Sequence, residues 1–569
     1  MRNMPISALT PSSGTMMVIF VVLLAVILEI TTCSWRQPIE PVVSESTIDS
    51  SQANRQANDT GKELYTRHCA ACHGTNGNGQ GIAASYLFPK PRDFRSGRFR
   101  LVSTANNVPL REDLEAVLAR GMPGSSMPPW EQLPEKQRSA LVNEVLGLWQ
   151  QGIRDRETAF LKDEEGFTAG EILGQDVQQQ ITDHVKRVTT PGATTKVPAL
   201  GSADSASIER GRAAYLRLGC HACHGKDGKG DGVEKQFDDE GFPTRPRDYT
   251  RGIFKGGHDA ASLFRRIAYG MPGTPMPGAS KATPQERGDL VHFIRSLSDE
   301  ATREDAVIKR RQLIVQRVKR VPGNEPRDWA GIVPADLQMI PLWWRDNADP
   351  GLQIQAVHDG QTIAIRLCWH DKTDDHEAVK GDSFEDAVAV ALYHGNAEPF
   401  IGMGAPEAPV DIWFWDADRQ TATVIEEAYP NMVVDRYPLS ESTVDTAAFD
   451  RPGTRTTSQP PISLPAHASG NPIAPAAPGS GSSSLSAAGP GTVAFQNPRG
   501  RVIQARGHWQ NGRWSILLAR SLQPGSPADR VILEPGRRVS VAIAIWDGSQ
   551  RERNGKKLVT IWNDLELEK

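Results

Sequence analysis

Cysteine is scarce in this chain, and the scarcity excludes two classes. Six cysteines in 569 residues cannot build the disulfide framework of a small secreted scaffold. Nor do they leave a ligand set for iron–sulfur clusters once the four discussed below are assigned. Positive charge is not in excess either. Against 68 Asp and Glu stand 64 Lys and Arg, a formal net charge of −4, so the chain lacks the basic footprint of a nucleic-acid binder. No apolar run reaches the roughly 20 residues of a membrane-spanning helix. The run Met16 to Leu28 has 13 residues and stops at Glu29. There is no phosphate-cradling glycine loop and no G-x-S-x-G elbow. The chain carries no catalytic constellation of its own.

What is present is a repeated motif. Cys69-Ala-Ala-Cys72-His73 and Cys220-His-Ala-Cys223-His224 are two copies of C-x-x-C-H. Two thiols at this spacing can bond the two vinyl groups of one porphyrin, and the adjacent His then lies under the iron as proximal ligand. Each copy is followed by a Gly-rich stretch, then Pro-Arg-Asp-Phe/Tyr at 91–94 and 246–249. Each ends in Gly-Met-Pro-Gly-x-x-Met-Pro, at 121–128 and 270–277. The offset between copies is 151 residues at the cysteines, 155 at Pro-Arg-Asp and 149 at the final Met-Pro, so two homologous domains are expected. A structural zinc site would leave the histidines and the Met-Pro repeats without a purpose. A thioredoxin-like pair would need a βαβ context, whereas these flanks are Gly-rich and helical.

A Met opposite the His closes the second axial position and suits an iron that only passes electrons. The arrangement resembles class I cytochrome c over residues 60–153 and 205–300. The resemblance favours the Met of the final Met-Pro, hence Met127 over Met122 and Met276 over Met271; all four precede Pro, so spacing alone leaves the choice open. Tyr65 and Tyr215 sit on short helical patterns before the motifs. Leu141, Val145, Leu148 and Trp149 form a helical stripe after the first Met loop, and Val291, Phe293, Ile294 and Leu297 after the second.

Residues 1–33 read as a signal peptide or membrane anchor. Ile30-Thr31-Thr32-Cys33 is similar to a lipoprotein cleavage site except at Thr32, so a cleaved signal, an uncleaved anchor and a lipid on Cys33 are the three outcomes. Residues 34–59 read as a tether, 154–204 as a linker and 301–325 as a charged linker helix.

From residue 326 the pattern changes. Strand-like runs occur at Leu352–Val357, Thr362–Trp369, Ala387–Tyr393, Val410–Trp415, Trp514–Leu522, Val539–Trp546 and Leu558–Trp562. They predict an antiparallel sandwich over 326–569, broken by a Pro/Ser/Gly/Ala-rich disordered insertion at 451–492. The expected architecture is thus multidomain: two all-α cytochrome c domains followed by an all-β sandwich.

Asp382-Ser-Phe-Glu-Asp-Ala-Val-Ala-Val390, Pro399-Phe-Ile-Gly-Met-Gly404 and Val410-Asp-Ile-Trp-Phe-Trp415 resemble the haem-b-binding γ subunits of the dimethyl sulfoxide reductase superfamily. Gly512-Arg-Trp514, Val541 to Gly548 and Arg553-Asn-Gly-Lys-Lys557 continue the likeness in order. These subunits serve ethylbenzene and dimethyl sulfide dehydrogenases, selenate and chlorate reductases, and nitrite oxidoreductases; the last are favoured here because of the fused cytochromes. The resemblance implies one non-covalent haem b between Met403 and Lys557, with Lys556 the near alternative, beside two covalent haems c. It implies a molybdenum catalytic subunit and an iron–sulfur subunit as partners, and a soluble cytochrome c or terminal oxidase as redox partner. It also implies a place on the periplasmic side, anchored through the N-terminal segment. His370, His376 and His394 are rival haem ligands. Two other functions compete with this one. A stand-alone dihaem cytochrome with a carbohydrate-binding sandwich would have no use for Met403 and Lys557. A dihaem peroxidase would need the open iron position that Met127 and Met276 close.

The covalent haems give the first prediction. On a denaturing gel stained for haem the band should lie at full chain mass, and changing Cys69 and Cys72 together to Ala should halve its intensity. An undiminished band would refute the attachment.

Overall fold

The computed structural model describes residues 59–569 except 195, 233–234, 324, 346–350, 377–383, 396–397, 400–402, 418–481, 496–502 and 524–530. The apolar run at 16–28, Cys33 and the tether up to residue 58 lie outside the described residues, as do 451–481 of the expected insertion.

Helix α1 (Gly61–His68) starts at a capping box. The Thr60 hydroxyl accepts from the Glu63 amide at 3.3 Å, and the Glu63 carboxylate accepts from the Thr60 amide at 2.7 Å. Helix α2 (Ala70–His73) carries the first haem motif, and α3 (Arg111–Arg120) and α4 (Glu135–Asp163) complete the domain. The stripe Leu141, Val142, Val145 and Trp149 is buried against Leu64, Tyr65, Phe99 and Leu114. Helix α1 crosses α4 at Gly61, where a Cβ would stand 2.5 Å from the Ala140 carbonyl oxygen. After α5 (Ala169–Ile172) and α6 (Gln175–Thr189), the plan repeats in α7 (Ser205–Arg217), α8 (Cys220–His224), a hairpin β1–β2 (Gln236–Phe237, Pro243–Thr244), α9 (Ala260–Tyr269) and α10 (Pro284–Ser296). The crossing repeats too: a Cβ at Gly211 would lie 2.0 Å from the Asp289 carbonyl oxygen. In both copies a Gly four residues before a buried Tyr lets the first helix close on the last.

Two expectations change here. Residues 154–204 are not a bare linker, because α4 runs on to Asp163 and α6 returns Val185 to the core of the first domain. Residues 301–325 are not one charged helix. Helix α11 (Glu300–Asp305) is short and is followed by strand β3 (Gln312–Arg317), in which Leu313 and Val315 are buried and Gln312 and Ile314 exposed. The period is two, not 3.6, and the many Lys and Arg around it masked so short an alternation.

The C-terminal strands are β3, β4 (Ala335–Gln338), β5 (Ile340–Pro341), β6 (Gly351–His358), β7 (Thr362–His370), β8 (Ala387–Tyr393), β9 (Val410–Asp416), β10 (Ser482–Ala487), β11 (Ala494–Phe495), β12 (Ile503–Gln510), β13 (Arg513–Ser521), β14 (Arg538–Trp546), β15 (Leu558–Val559) and β16 (Asn563–Leu567). One hydrogen-bonded path runs β11-β10-β9-β8-β14-β16-β3-β6-β7-β13-β12. Strand β3 is its corner. Its first four residues pair in parallel with β16 and its last two with β6. The two halves of the path share a core, with Val388, Trp413 and Val541 from one half and Ile354, Ile365 and Ile516 from the other. Strand β10 corrects the insertion: residues 482–487 pair with β9, all but Ser486 are buried, and Leu485 and Ala487 join the cluster of Val410 and Ile412. Low-complexity composition concealed a buried strand.

The first cytochrome domain touches both of the others, and the second also reaches the C-terminal domain, where Arg247 lies over Trp344 at 5.4 Å. The first domain meets the sheet through Ala83 and Leu87, which share a cluster with Ala389, Ala391, Ile412 and Ala542 on the face of β8, β9 and β14 away from the main core. The Phe88 amide donates to the Leu342 carbonyl at 2.9 Å, and the Trp344 amide to the Phe88 carbonyl at 2.8 Å. It meets the second cytochrome domain through Arg92 and Glu240 at 3.0 Å, and through the buried pair Arg100 and Asp238 at 2.8 Å.

The corner strand is testable. Leu313→Ala should cost about 2–5 kcal/mol, whereas Ile314→Ala, with its side chain 42% exposed, should cost less than about 1 kcal/mol. Denaturant titration followed by tryptophan fluorescence reads both, and equal costs would refute the alternating strand.

Candidate haem-binding sites

Each C-x-x-C-H forms a short helix that follows the first domain helix directly. Tyr65 and Tyr215, each 1% exposed, tie it down: their hydroxyls donate to the Gly74 and Gly225 carbonyls at 2.9 and 2.7 Å. Cys69 and Cys220 belong to separate cores, and among the described residues the four cysteines do not gather into one metal-ligating cluster, which speaks against shared zinc.

The Pro-Arg-Asp motif has a role that sequence reading left unassigned. His73 Nδ1 lies 2.9 Å from the Arg92 carbonyl oxygen, so that nitrogen donates and Nε2 is left for a metal. Phe94 stacks on the imidazole at 4.3 Å and 18°. Burial pushes the pKa of His73 down to about 4, which keeps the ring neutral and able to ligate. In the second domain His224 Nδ1 lies 3.4 Å from the Arg247 carbonyl, burial again lowers the pKa to about 4, and Tyr249 takes the place of Phe94. The Tyr249 hydroxyl lies 3.0 Å from Nε2 and would have to give way for that nitrogen to hold a metal. The signal that could have found these carbonyls was the Pro-Arg-Asp repeat itself.

In each Met loop the first Met amide donates to the carbonyl of the last, Met122 to Met127 at 3.1 Å and Met271 to Met276 at 3.0 Å. Met127 packs against the domain core beside Trp130 and Leu133, which sets it apart from Met122. Met276 and Met271 are both half-buried and their packing does not separate them.

Met403 and Lys557, 154 residues apart, come together. Lys557 Nζ lies 3.8 Å from Met403 Sδ and 4.7 Å from the centre of the Trp546 ring. Lys557 is buried immediately before β15, and its carbonyl accepts from the Leu342 amide. Lys556 points outward and lies over Trp343. His370, His376 and His394 are elsewhere: His370 meets Arg513, His376 faces Asp374 and His394 meets Arg537. Phe400 to Gly402, next to Met403, lie outside the described residues.

A buried amine beside a thioether fits a metal better than it fits a salt bridge. Burial lowers the pKa of Lys557 to about 8, toward the neutral amine that alone can coordinate. The unfolded chain, with an ordinary value near 10.5, binds more protons between pH 8 and 10.5, so haem-free protein should gain stability as pH rises through that window. Lys557→Met should remove this gain and stabilise haem-free protein at pH 7 by roughly 1–3 kcal/mol. Denaturant midpoints at pH 7 and 10 test it; parallel pH dependence in both proteins would refute a strained buried amine.

Comparison with known proteins agrees with this division of the chain. Residues 329–558 match the family described as ethylbenzene dehydrogenase. Residues 208–298 match cytochrome c, and 56–143 match cytochrome c oxidase, cbb3-type, subunit III. A putative respiratory nitrate reductase heme subunit from Haloferax mediterranei is 25% identical over 38% of this chain and 56% of its own length. The dimethylsulfide dehydrogenase subunit gamma of Rhodovulum sulfidophilum is 23% identical over 42% of this chain and 72% of its own. The chain thus spans little more than half of the first of these relatives. A solved chain of a reducing HAO-like protein complex from Kuenenia stuttgartiensis is 31% identical over 42% of this chain and 96% of that one, with a TM-score of 0.34. Two cytochrome c regions and one region of the ethylbenzene dehydrogenase family therefore follow one another along this polypeptide.

Proposed function

We propose that this chain is the electron-transfer γ subunit of a molybdoenzyme complex, of the nitrite oxidoreductase type, with two covalent haems c and one haem b. The observation that carries the reading is the meeting of Met403 and Lys557, a buried amine facing a thioether inside the region that matches the ethylbenzene dehydrogenase family. Haem iron, when bound, cycles between ferrous and ferric states and so moves single electrons. The residues supply the rest. Met403 and Lys557 would hold haem b, and Trp546 and the apolar face of β14 keep water away from them. Cys69 and Cys72 with His73 and Met127, and Cys220 and Cys223 with His224 and Met276, would hold haems c. Side chains would thus take both ligand positions at each haem and leave none for substrate, and catalysis would fall to a partner molybdenum subunit.

The packing suggests an order. Cys72 lies at the edge of the cluster that covers the sheet face carrying Lys557. Arg247, whose carbonyl faces His224, sends its guanidinium to the Pro123 and Gly124 carbonyls in the loop of Met127 at 3.1 and 3.0 Å. An order haem b, first haem c, second haem c would fit these contacts. An iron–sulfur subunit would then meet the haem-b end, and a soluble cytochrome c or terminal oxidase the second cytochrome domain. Residues 1–33 would anchor the chain on the periplasmic side. Among the described residues no helix is long and apolar enough to cross a membrane.

Acid–acetone extraction of the full chain tests the set of haems. One haem should leave for every two that remain bound. Met403→Ala and Lys557→Ala should each lose the extractable haem or turn it high-spin, while Lys556→Ala should not. A chain with no extractable haem, and none taken up when haem is supplied, sinks the reading and leaves a stand-alone dihaem cytochrome with a binding module in front.

A further inference from the structure

A group of carboxylates lies at the end of the sandwich where β7, β8 and β14 give way to loops. One carboxylate oxygen from each of Asp371, Asp375, Asp386 and Asp547 lies within 4.8 Å of one from each of the others. The set joins both halves of the sheet path. Asp371 follows β7, Asp386 precedes β8 and Asp547 follows β14, while Trp514 Nε1 in β13 donates to Asp386 Oδ2 at 2.9 Å. Asp386 is 0% exposed and Asp371 5% exposed.

The hydrogen bonds leave a deficit. Asp386 is served by the amides of Gly548 and Asp375 as well as by Trp514. Asp375 accepts from the Thr373 hydroxyl at 2.6 Å. Asp547 Oδ1 accepts from the Ser549 hydroxyl at 2.7 Å and the Gln550 amide at 3.2 Å, and its Oδ2 from Arg345 at 2.7 Å, but that guanidinium is shared with Glu552. Asp371 Oδ1 accepts two long bonds from Thr373, and its Oδ2, fully buried, has no donor at all. A buried carboxylate oxygen without a partner costs of order 1–3 kcal/mol or more. Four acidic groups sharing one guanidinium with a fifth need either protons or a cation. Burial, then the charge of Asp547, pushes the pKa of Asp371 up to about 7; burial, then the charge of Asp371, pushes that of Asp386 up to about 8.

We propose that Asp371, Asp375, Asp386 and Asp547 bind one calcium ion. The donors are all oxygen, which selects a hard cation. Four carboxylates suit calcium, which takes six to eight oxygens in flexible geometry, better than magnesium, which keeps several waters and takes one or two carboxylates, and half-buried Asp375 and Asp547 leave room for the waters that complete the shell. The ion would fasten both halves of the sheet path to the start of the segment 547–557, which ends in Lys557. Calcium binding itself does not depend on the haem reading.

The experiment uses the full chain stripped with EGTA, titrated calorimetrically with calcium chloride or magnesium chloride, with thermal melts in parallel. One calcium per chain should bind saturably, more tightly than magnesium, and raise the melting temperature. Asp371→Asn, which changes the oxygen that has no donor, should fold and weaken calcium binding at least tenfold. Asp386→Asn loses more contacts, so its binding is read only if its far-UV spectrum matches the unaltered chain. Absence of saturable binding to the stripped chain, unchanged affinity in Asp371→Asn, or tighter magnesium binding would each overturn the proposal.

Discussion

A strand buried on both faces must be covered twice, and much of this architecture follows from that requirement. All but the last residue of β8, and all but one of β9, are buried, whereas β13 alternates buried with half-buried residues and β12, after Ile503, half-buried with exposed ones. The inner face of β8, β9 and β14 is covered by the opposite half of the sheet path. On its outer face, which β15 and β5 continue beyond β14, Ile340, Val559 and Trp562 share a cluster with Ala83 and Leu87 of the first cytochrome domain. The same covering keeps water from Lys557. The low pKa of that amine and the docking of the cytochrome are thus two results of one burial, since desolvation is the cause of the first and apolar contact the driving force of the second.

Much of this was legible in the residues. The haem motifs, the Met loops and the helical stripes are local patterns with fixed spacing, and local patterns survive in a single sequence. Met403 and Lys557 are far apart in the chain, and only the family resemblance brought them together. What stayed hidden was hidden for physical reasons. Strand β3 is six residues long and surrounded by charge, so its two inward side chains, Leu313 and Val315, fall below any periodic signal. Strand β10 is buried yet Ser- and Ala-rich, and the same composition describes disorder. The carbonyls of Arg92 and Arg247 are main-chain groups that any residue would offer, so only the repeated Pro-Arg-Asp marks them and nothing in it names their role. The four aspartates come from separate loops and resemble ordinary turn residues until the strands bring them together.

Arg92 and Arg247 each do two things. The main chain of each meets a haem-motif histidine, and the side chain of each reaches the other cytochrome domain: Arg92 reaches Glu240, and Arg247 reaches the Met127 loop. Orientation of the imidazole and docking of the domains are therefore set by the same two residues. This couples the internal geometry of each cytochrome domain to the distance between them.

The corner strand has a mechanical consequence. Six residues, 306–311, separate the end of α11 from the start of β3, and even fully stretched they reach about 20 Å. The second cytochrome domain is therefore on a short leash, stitched into the sandwich by a strand that both halves of the sheet path require. It cannot travel between distant docking partners as a cytochrome on a long flexible arm would. In the proposed relay, a docking partner would have to come to it.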